Sequence, residues 1–451
     1  MEVPNDQASD AANFDHFLTP RERRRAVFAA TLGNGLEFYD FITFAFFAIQ
    51  IGQTFFPSQN SFLSLMGSLA TFGAGFVTRP LGAHILGGYA DRVGRKPAML
   101  VSMSLMGAGI LLLALTPGFS AIGYAAPVIA VLARLIQGFA LGGEVGSATI
   151  YMMESATPAR RGWTMSWQGA SQSVAASIGA LVGLGLSLAL SPTELSAYGW
   201  RIALALGATI VPVALYVRRA LPETIQAPDS AVVPHGPFRQ YMRPVVCGFL
   251  IIASGTIGSY IFQYMATFGQ NTLHLSTSVS MAGELANNGI GIVAVMAGGA
   301  MSDRFGRRSV MLGPQLLFCL LIVPCFLWLT TARNATSFIS ANLILSAIAG
   351  FMYGAVYAAI SESIPKAVRA RVFALVYSIP VAVFGGSTQF FITWLLHVTR
   401  NPMSIAWYLT GVSLIGLAAM YMLRESAPVR LKPRLTSSRP VAPVSSAMPG
   451  P

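Results

Sequence analysis

The stretch AMLVSMSLMGAGILLLALT, residues 98–116, runs 19 residues without a charge, and uncharged apolar runs of similar length recur along the chain. At 1.5 Å per residue, a helix of that length crosses a hydrocarbon core of about 30 Å. Only 10% of the residues are charged and 54% are hydrophobic, whereas a soluble chain carries about a quarter charged residues. The sequence therefore predicts an all-α, polytopic membrane protein. Hydropathy and turn signals place twelve transmembrane helices at 26–50, 62–90, 98–116, 122–152, 163–189, 200–218, 244–269, 280–301, 309–330, 336–361, 369–397 and 404–423. A polar, Pro-bearing segment at 219–243 separates a six-helix bundle over 26–218 from a second over 244–424. Residues 1–25 read as a polar N-terminal segment without a cleavable leader. Residues 425–451 read as a Pro- and Ser-rich, disordered tail.

The net charge of +12 is a topology device rather than a nucleic-acid footprint. Of 29 Lys and Arg residues, 24 fall in segments on the side of the two termini, and two, Arg333 and Arg400, in the opposite loops. This asymmetry puts both termini in the cytoplasm. Cys247, Cys319 and Cys325 lie within spans at no disulfide or metal-ligand spacing and read as packing residues. Asn334-Ala335-Thr336 matches a glycosylation sequon and is read as inert. No nucleophile–base pair, Walker loop or metal cluster is visible, so neither an enzyme nor a cofactor is expected.

The chain repeats itself. GGYADRVGRKPAML (87–100) recurs as GAMSDRFGRRSVML (299–312), and GGEVGSATIYMMESATPARR (142–161) recurs as GFMYGAVYAAISESIPKAVR (350–369). The two halves are copies of one unit, the arrangement of transporters whose substrate site lies near mid-membrane where the halves meet. Gly87, Asp91, Arg92, Gly94, Arg95 and Lys96, with their second copy at Gly299, Asp303, Arg304, Gly306 and Arg307, resemble the signature loop of the major facilitator superfamily. The glycines permit a tight turn, the aspartate suits a neighbouring helix N-terminus, and the arginines suit the headgroup level. LGNGLEFYDF, FVTRPLGAHILGGYADRVGRK, ARLIQGFALGGEVG, SWQGASQ, YGWRIALALG and RRALPET follow in order. Together they are similar to the metabolite–proton symporter family of bacterial inner membranes. SWQGASQ (166–172) resembles its citrate and tricarballylate branch. The resemblance covers roughly residues 26–425 and implies proton-coupled uptake of a small organic acid by alternating access. A proline- or betaine-like zwitterion carrier and an exporter are the alternatives. It also implies a monomer that needs only substrate, protons and lipid as partners.

Ionisable residues are few inside the spans, because a charge at the bilayer centre costs roughly 3 kcal/mol or more. Glu37 and Asp40 share one face of span one, and Arg134 and Glu144 lie in span four. The resemblance implies that spans one and four both face the central cavity; by depth along each helix, Asp40 then pairs with Arg134 and Glu37 approaches Glu144. Two carboxylates in a poorly solvated cavity cannot both stay ionised, so Glu37 with Glu144 is the expected proton carrier and Asp40–Arg134 the charge pair or substrate contact. Gln168 and Gln172 of span five, Tyr260, Tyr264 and Thr267 of span seven, and Tyr353 and Tyr357 of span ten are the expected cavity lining. Arg79 is expected to snorkel or to support the signature loop. Glu154 and Glu362 are expected as salt-bridge partners between the halves. His84, Gly142, Gly143 and Gly146 read as packing. Glu284 stands near the outer end of span eight, with no role assigned.

Overall fold

The computed structural model describes residues 38–93, 95–142, 156–219, 242–365 and 369–431, with residues 28, 31, 34, 35 and 152. Each of the twelve spans is represented by helix. Span one is helical from 38, with a turn at Phe47 before Ala48–Phe55. Span two is Ser61–Val77 followed by Arg79–Val93, span three Arg95–Leu115 and span four Ala125–Gly142. Span five is Arg161–Ala189 and span six Trp200–Arg219. The second half holds Met242–Asn271, Thr277–Phe305, Arg307–Ala332 and Ala335–Glu362. Span eleven is Arg369–Pro380 and Gly386–Thr399, joined through one π turn after Pro380, and span twelve is Ser404–Met422. Proline and π turns are the usual causes of such an irregularity. Among the described residues, nine helices are long and apolar enough to cross a membrane, and span three adds the shorter apolar helix Leu100–Leu115.

Helix starts on the face opposite the termini are fixed by side-chain caps. Asn60 accepts from the Phe62 N–H and Ser276 from the Val279 N–H. Asn334 forms a reciprocal capping box with Ser337, so the sequon asparagine works as a helix cap. The tail begins later than expected. Residues 425–431 are folded, with a helical turn at Pro428–Leu431 and Glu425 accepting from the N–H groups of Arg307 and Arg308 at the start of span nine.

Lipid chains are as apolar as leucine, so helices in a bilayer associate by close packing. Gly138 of span four lies so near span two that a Cβ would overlap the Gly75 carbonyl oxygen; Gly354 of span ten stands likewise against Val295 of span eight. Gly142 faces the Arg79 carbonyl in the same way, while Gly143 and Gly146 are outside the described residues. The halves meet along spans five and eight, and along spans two and eleven. On the face opposite the termini, Ser187 hydrogen-bonds Ser278 at 3.1 Å and Phe62 stacks on His397 with centroids 3.8 Å apart. Nearby, Gly183 receives Met281.

Gly138→Ala should force spans two and four apart, an overpacking cost of about 1–3 kcal/mol. A clear fall in the unfolding temperature of the detergent-solubilised protein is expected. Gly185→Ala, where a Cβ meets nothing within 4 Å, should show no fall.

Candidate functional site

Arg134 and Asp40 meet as expected from depth. Arg134 Nη1 donates to Asp40 Oδ2 at 2.7 Å, and the side chains are 0% and 1% exposed. Nη1 also donates to Gln137 Oε1, one turn further along span four. The guanidinium lies over the Phe44 ring at 4.0 Å and the Phe41 ring at 4.7 Å. Desolvated cation–π contacts of this kind are worth about 2 kcal/mol. The pair nonetheless has spare capacity: among the described residues, Asp40 Oδ1 and Arg134 Nε and Nη2 have no hydrogen-bond partner. A proton can therefore add at Oδ1 without displacing a donor. Glu37 and Glu144 lie outside the described residues.

A cavity of about 220 Å³ lies between the halves, lined by spans one, five and seven to twelve. Among the described residues its wall carries several amides and hydroxyls but no Asp, Glu, Lys or Arg. Of the expected lining, Gln172, Tyr260, Tyr353 and Tyr357 are present. Gln168, Tyr264 and Thr267 are not. Gln168 is fully buried against span one, where Nε2 donates to Asn34 Oδ1 at 3.0 Å while Asn34 Nδ2 donates to the Gln168 carbonyl. Tyr264 and Thr267 are each 1% exposed and face the helical core. Span seven presents Thr256, Ser259 and Gln263 instead. These share with Tyr260 a face rotated from the one containing Tyr264 and Thr267. A stripe at i, i+3, i+4 and i+7 was the available signal.

Arg79 corrects another expectation. It does not reach for the headgroups; its guanidinium covers the Phe76 ring at 3.9 Å and the Phe41 ring at 4.7 Å. There it comes within hydrogen-bonding reach of the Tyr260 hydroxyl at the cavity wall. Phe41 thus carries Arg79 and Arg134 together. The sequence signal was Phe76 three residues before Arg79, on the same helical face. His84 is exposed.

The second signature loop closes the face that carries the termini. Gly306, at φ 95°, makes the turn. Asp303 accepts from the N–H groups of Gly162 and Trp163, both at 2.9 Å, so a carboxylate of the second half caps span five of the first. Arg304 is exposed, as a headgroup-level arginine should be. Arg307 is not at that level: it is 1% exposed and bridges Asp303 at 2.6 Å and Glu362 at 3.1 Å. Glu362 therefore joins spans nine and ten of one half rather than bridging the halves, and also accepts from the Ser426 hydroxyl. Of the first copy, Gly94 and Glu154 lie outside the described residues, and only the backbone is described for Gly87, Asp91, Arg92, Arg95 and Lys96. One further buried acid, Glu284, lies beside the cavity, hydrogen-bonded to Asn287 of its wall.

Comparison with known proteins follows this geometry. The sequence profile of the Major Facilitator Superfamily matches residues 30–379. The citrate-proton symporter of Salmonella typhi is 39% identical over 416 residues, covering 90% of this chain and 96% of that protein. The alpha-ketoglutarate permease of Escherichia coli (strain K12) is 32% identical, covering 94% of this chain and 100% of that protein. A crystal structure of a D-xylose-proton symporter superimposes with a TM-score of 0.72 at 18% identity, over 90% of this chain and 98% of that one.

Asp303→Asn should weaken the capping of span five. Hydrogen bonds to charged groups contribute about 1.5–3 kcal/mol, so the closed-to-open ratio should fall roughly tenfold or more. Labelling of a Ser166→Cys reporter by an impermeant maleimide should accelerate by that factor.

Proposed function

The chain belongs to the major facilitator superfamily, and from that premise we propose that it takes up a small di- or tricarboxylate, such as citrate or tricarballylate, with protons. The observation that carries this reading is the buried Asp40–Arg134 pair, joined through the Phe41 ring to Arg79, which reaches Tyr260 of the cavity wall. With Asp40 ionised, the three groups sum to one positive charge. Protonation of Asp40 leaves two arginines sharing one ring, and their mutual repulsion is relieved by an anion in the cavity. Proton and carboxylate then favour each other's binding, which is the thermodynamic content of symport. Glu37 and Glu144 belong to the same reading as a further proton-carrying pair.

The cavity's amides and hydroxyls supply donors and acceptors for the cargo, and Arg79 supplies a guanidinium suited to a carboxylate. Release of Asp303 from Gly162 and Trp163 opens the face that carries the termini. By the positive-inside rule that face is cytoplasmic, and the membrane is the bacterial inner membrane. A monomer suffices, since cavity and charge pair are built within one chain. A second reading draws on Tyr260, Tyr353, Tyr357 and Tyr377, which line the cavity together. Aromatic faces recognise quaternary ammonium groups, so a betaine-like zwitterion fits the same wall.

Uptake into proteoliposomes under an inward proton gradient tests the assignment, with labelled citrate, tricarballylate, succinate, 2-oxoglutarate and betaine. Accumulation of a carboxylate that a protonophore abolishes is expected. Accumulation of betaine alone would favour the second reading, and efflux without uptake would point to an exporter. Arg79→Gln should raise the KM for the carboxylate roughly tenfold or more, reflecting the loss of a charged hydrogen bond of about 1.5–3 kcal/mol. An unchanged KM would remove Arg79 from the binding site.

A further inference from the structure

Glu284 has no part in the cycle described above. It is 1% exposed, about two turns from the start of span eight. Its Oε1 accepts from the Ala266 N–H at 3.1 Å and its Oε2 from Asn287 Nδ2 at 3.4 Å. Charge-assisted bonds to an ionised carboxylate are shorter, about 2.7–2.9 Å, as in the Asp40–Arg134 pair at 2.7 Å. Two long, neutral donors are poor compensation for a buried negative charge.

Span eight packs against spans five, seven, nine and ten. Their charged side chains stand at the helix ends: Arg161, Arg243, Arg307, Arg308 and Glu362 on the termini face, with Asp303 and Arg304 of span eight itself, and Arg333 on the opposite face. His274 is in the loop before span eight, and between the two faces lie Tyr260, Tyr264, Tyr353, Tyr357, Cys247, Cys319 and Cys325. None of these bears on the carboxyl; among the described residues its polar partners are the Ala266 N–H and Asn287.

We propose that Glu284 is an additional proton-binding site of the transport cycle, protonated while the face opposite the termini is closed and exchanging its proton with water when that face opens. Two contacts that close this face lie on the same helix within two turns of Glu284: Met281 against Gly183, and Ser278 with Ser187. Parting them hydrates the carboxyl, and closing them requires one proton from the water on that side. The route to the cavity is direct. Ser346 and Asn287 both line the cavity, the Ser346 hydroxyl donates to Asn287 Oδ1, and the Asn287 amide donates to Glu284. The other oxygen holds the backbone of span seven three residues beyond Gln263, which also lines the cavity. Proton occupancy is thereby tied to the position of a cavity-lining helix.

The inference rests on the proton-symport reading, and the test separates the two. It uses the full-length protein in proteoliposomes with the labelled carboxylate that the wild-type protein accumulates. Each coupled proton contributes about a factor of ten to the limiting accumulation ratio per pH unit of gradient. Glu284→Gln should therefore lower that ratio about tenfold per pH unit, a far larger loss than in counterflow exchange, which needs no net proton movement. Glu284→Asp keeps a titratable group and should preserve the ratio while shifting the pH dependence of uptake. A wild-type ratio in Glu284→Gln, or an unshifted pH profile in Glu284→Asp, overturns the proposal and leaves symport standing. A wild-type protein indifferent to the gradient overturns symport, and this proposal with it.

Discussion

An arginine and an aspartate facing each other inside a bilayer constrain everything around them. Removing either partner of a buried pair leaves a lone charge, a loss of about 3–5 kcal/mol, so spans one and four are locked in register at Asp40 and Arg134. The surrounding phenylalanines complete the arrangement. Phe41, Phe44, Phe72 and Phe76 pack edge to face or stacked, and Phe72 and Phe76 in turn meet Tyr260 of the other half. The cluster therefore connects a charge pair confined to the first half with a cavity built mainly from the second. An aromatic face can hold a guanidinium without neutralising it, which leaves both arginines able to respond to an anion.

The two halves divide the work unequally. The first supplies the charge pair and Arg79; the second supplies most of the cavity wall and the described closure of the termini face. That closure centres on Arg307, whose guanidinium holds Asp303 and Glu362 at once, so that Asp303 is correctly aimed at the span five N-terminus. Glu425 caps span nine beside it, tying the beginning of the tail to the same network. A carboxylate that caps a helix across the half–half boundary can release it without breaking the fold of either half, as alternating access requires.

Much of this was legible from residues alone. Length and charge distribution gave the spans, the duplicated loop gave the two-fold repeat, and depth arithmetic brought Asp40 to Arg134 once the family resemblance had set spans one and four on the cavity. Side-chain direction was harder to read. Lipid and helical core are equally apolar, so a membrane helix lacks the amphipathic stripe that reveals a soluble helix's buried face. Hence Gln168, Tyr264 and Thr267 read as cavity lining when they face neighbouring helices, while on span seven the polar stripe of Thr256, Ser259, Tyr260 and Gln263 marks the cavity face. Arg79 was misread because its partners, Phe41 and Phe76, become neighbours only once spans one and two pack. Glu362 was assigned across the halves because its spacing from Arg307 in the sequence says nothing about which loop folds back.

The central claim is that protonation of Asp40 is what couples carboxylate movement to the proton gradient. The most direct test compares Asp40→Asn with the wild type in the same proteoliposomes, measuring gradient-driven accumulation and substrate counterflow side by side. The account predicts that the limiting accumulation ratio falls about tenfold per pH unit of gradient in Asp40→Asn while exchange of labelled for unlabelled substrate persists. Wild-type accumulation by Asp40→Asn would contradict it, and would reduce the Asp40–Arg134 pair to a device for holding two helices together.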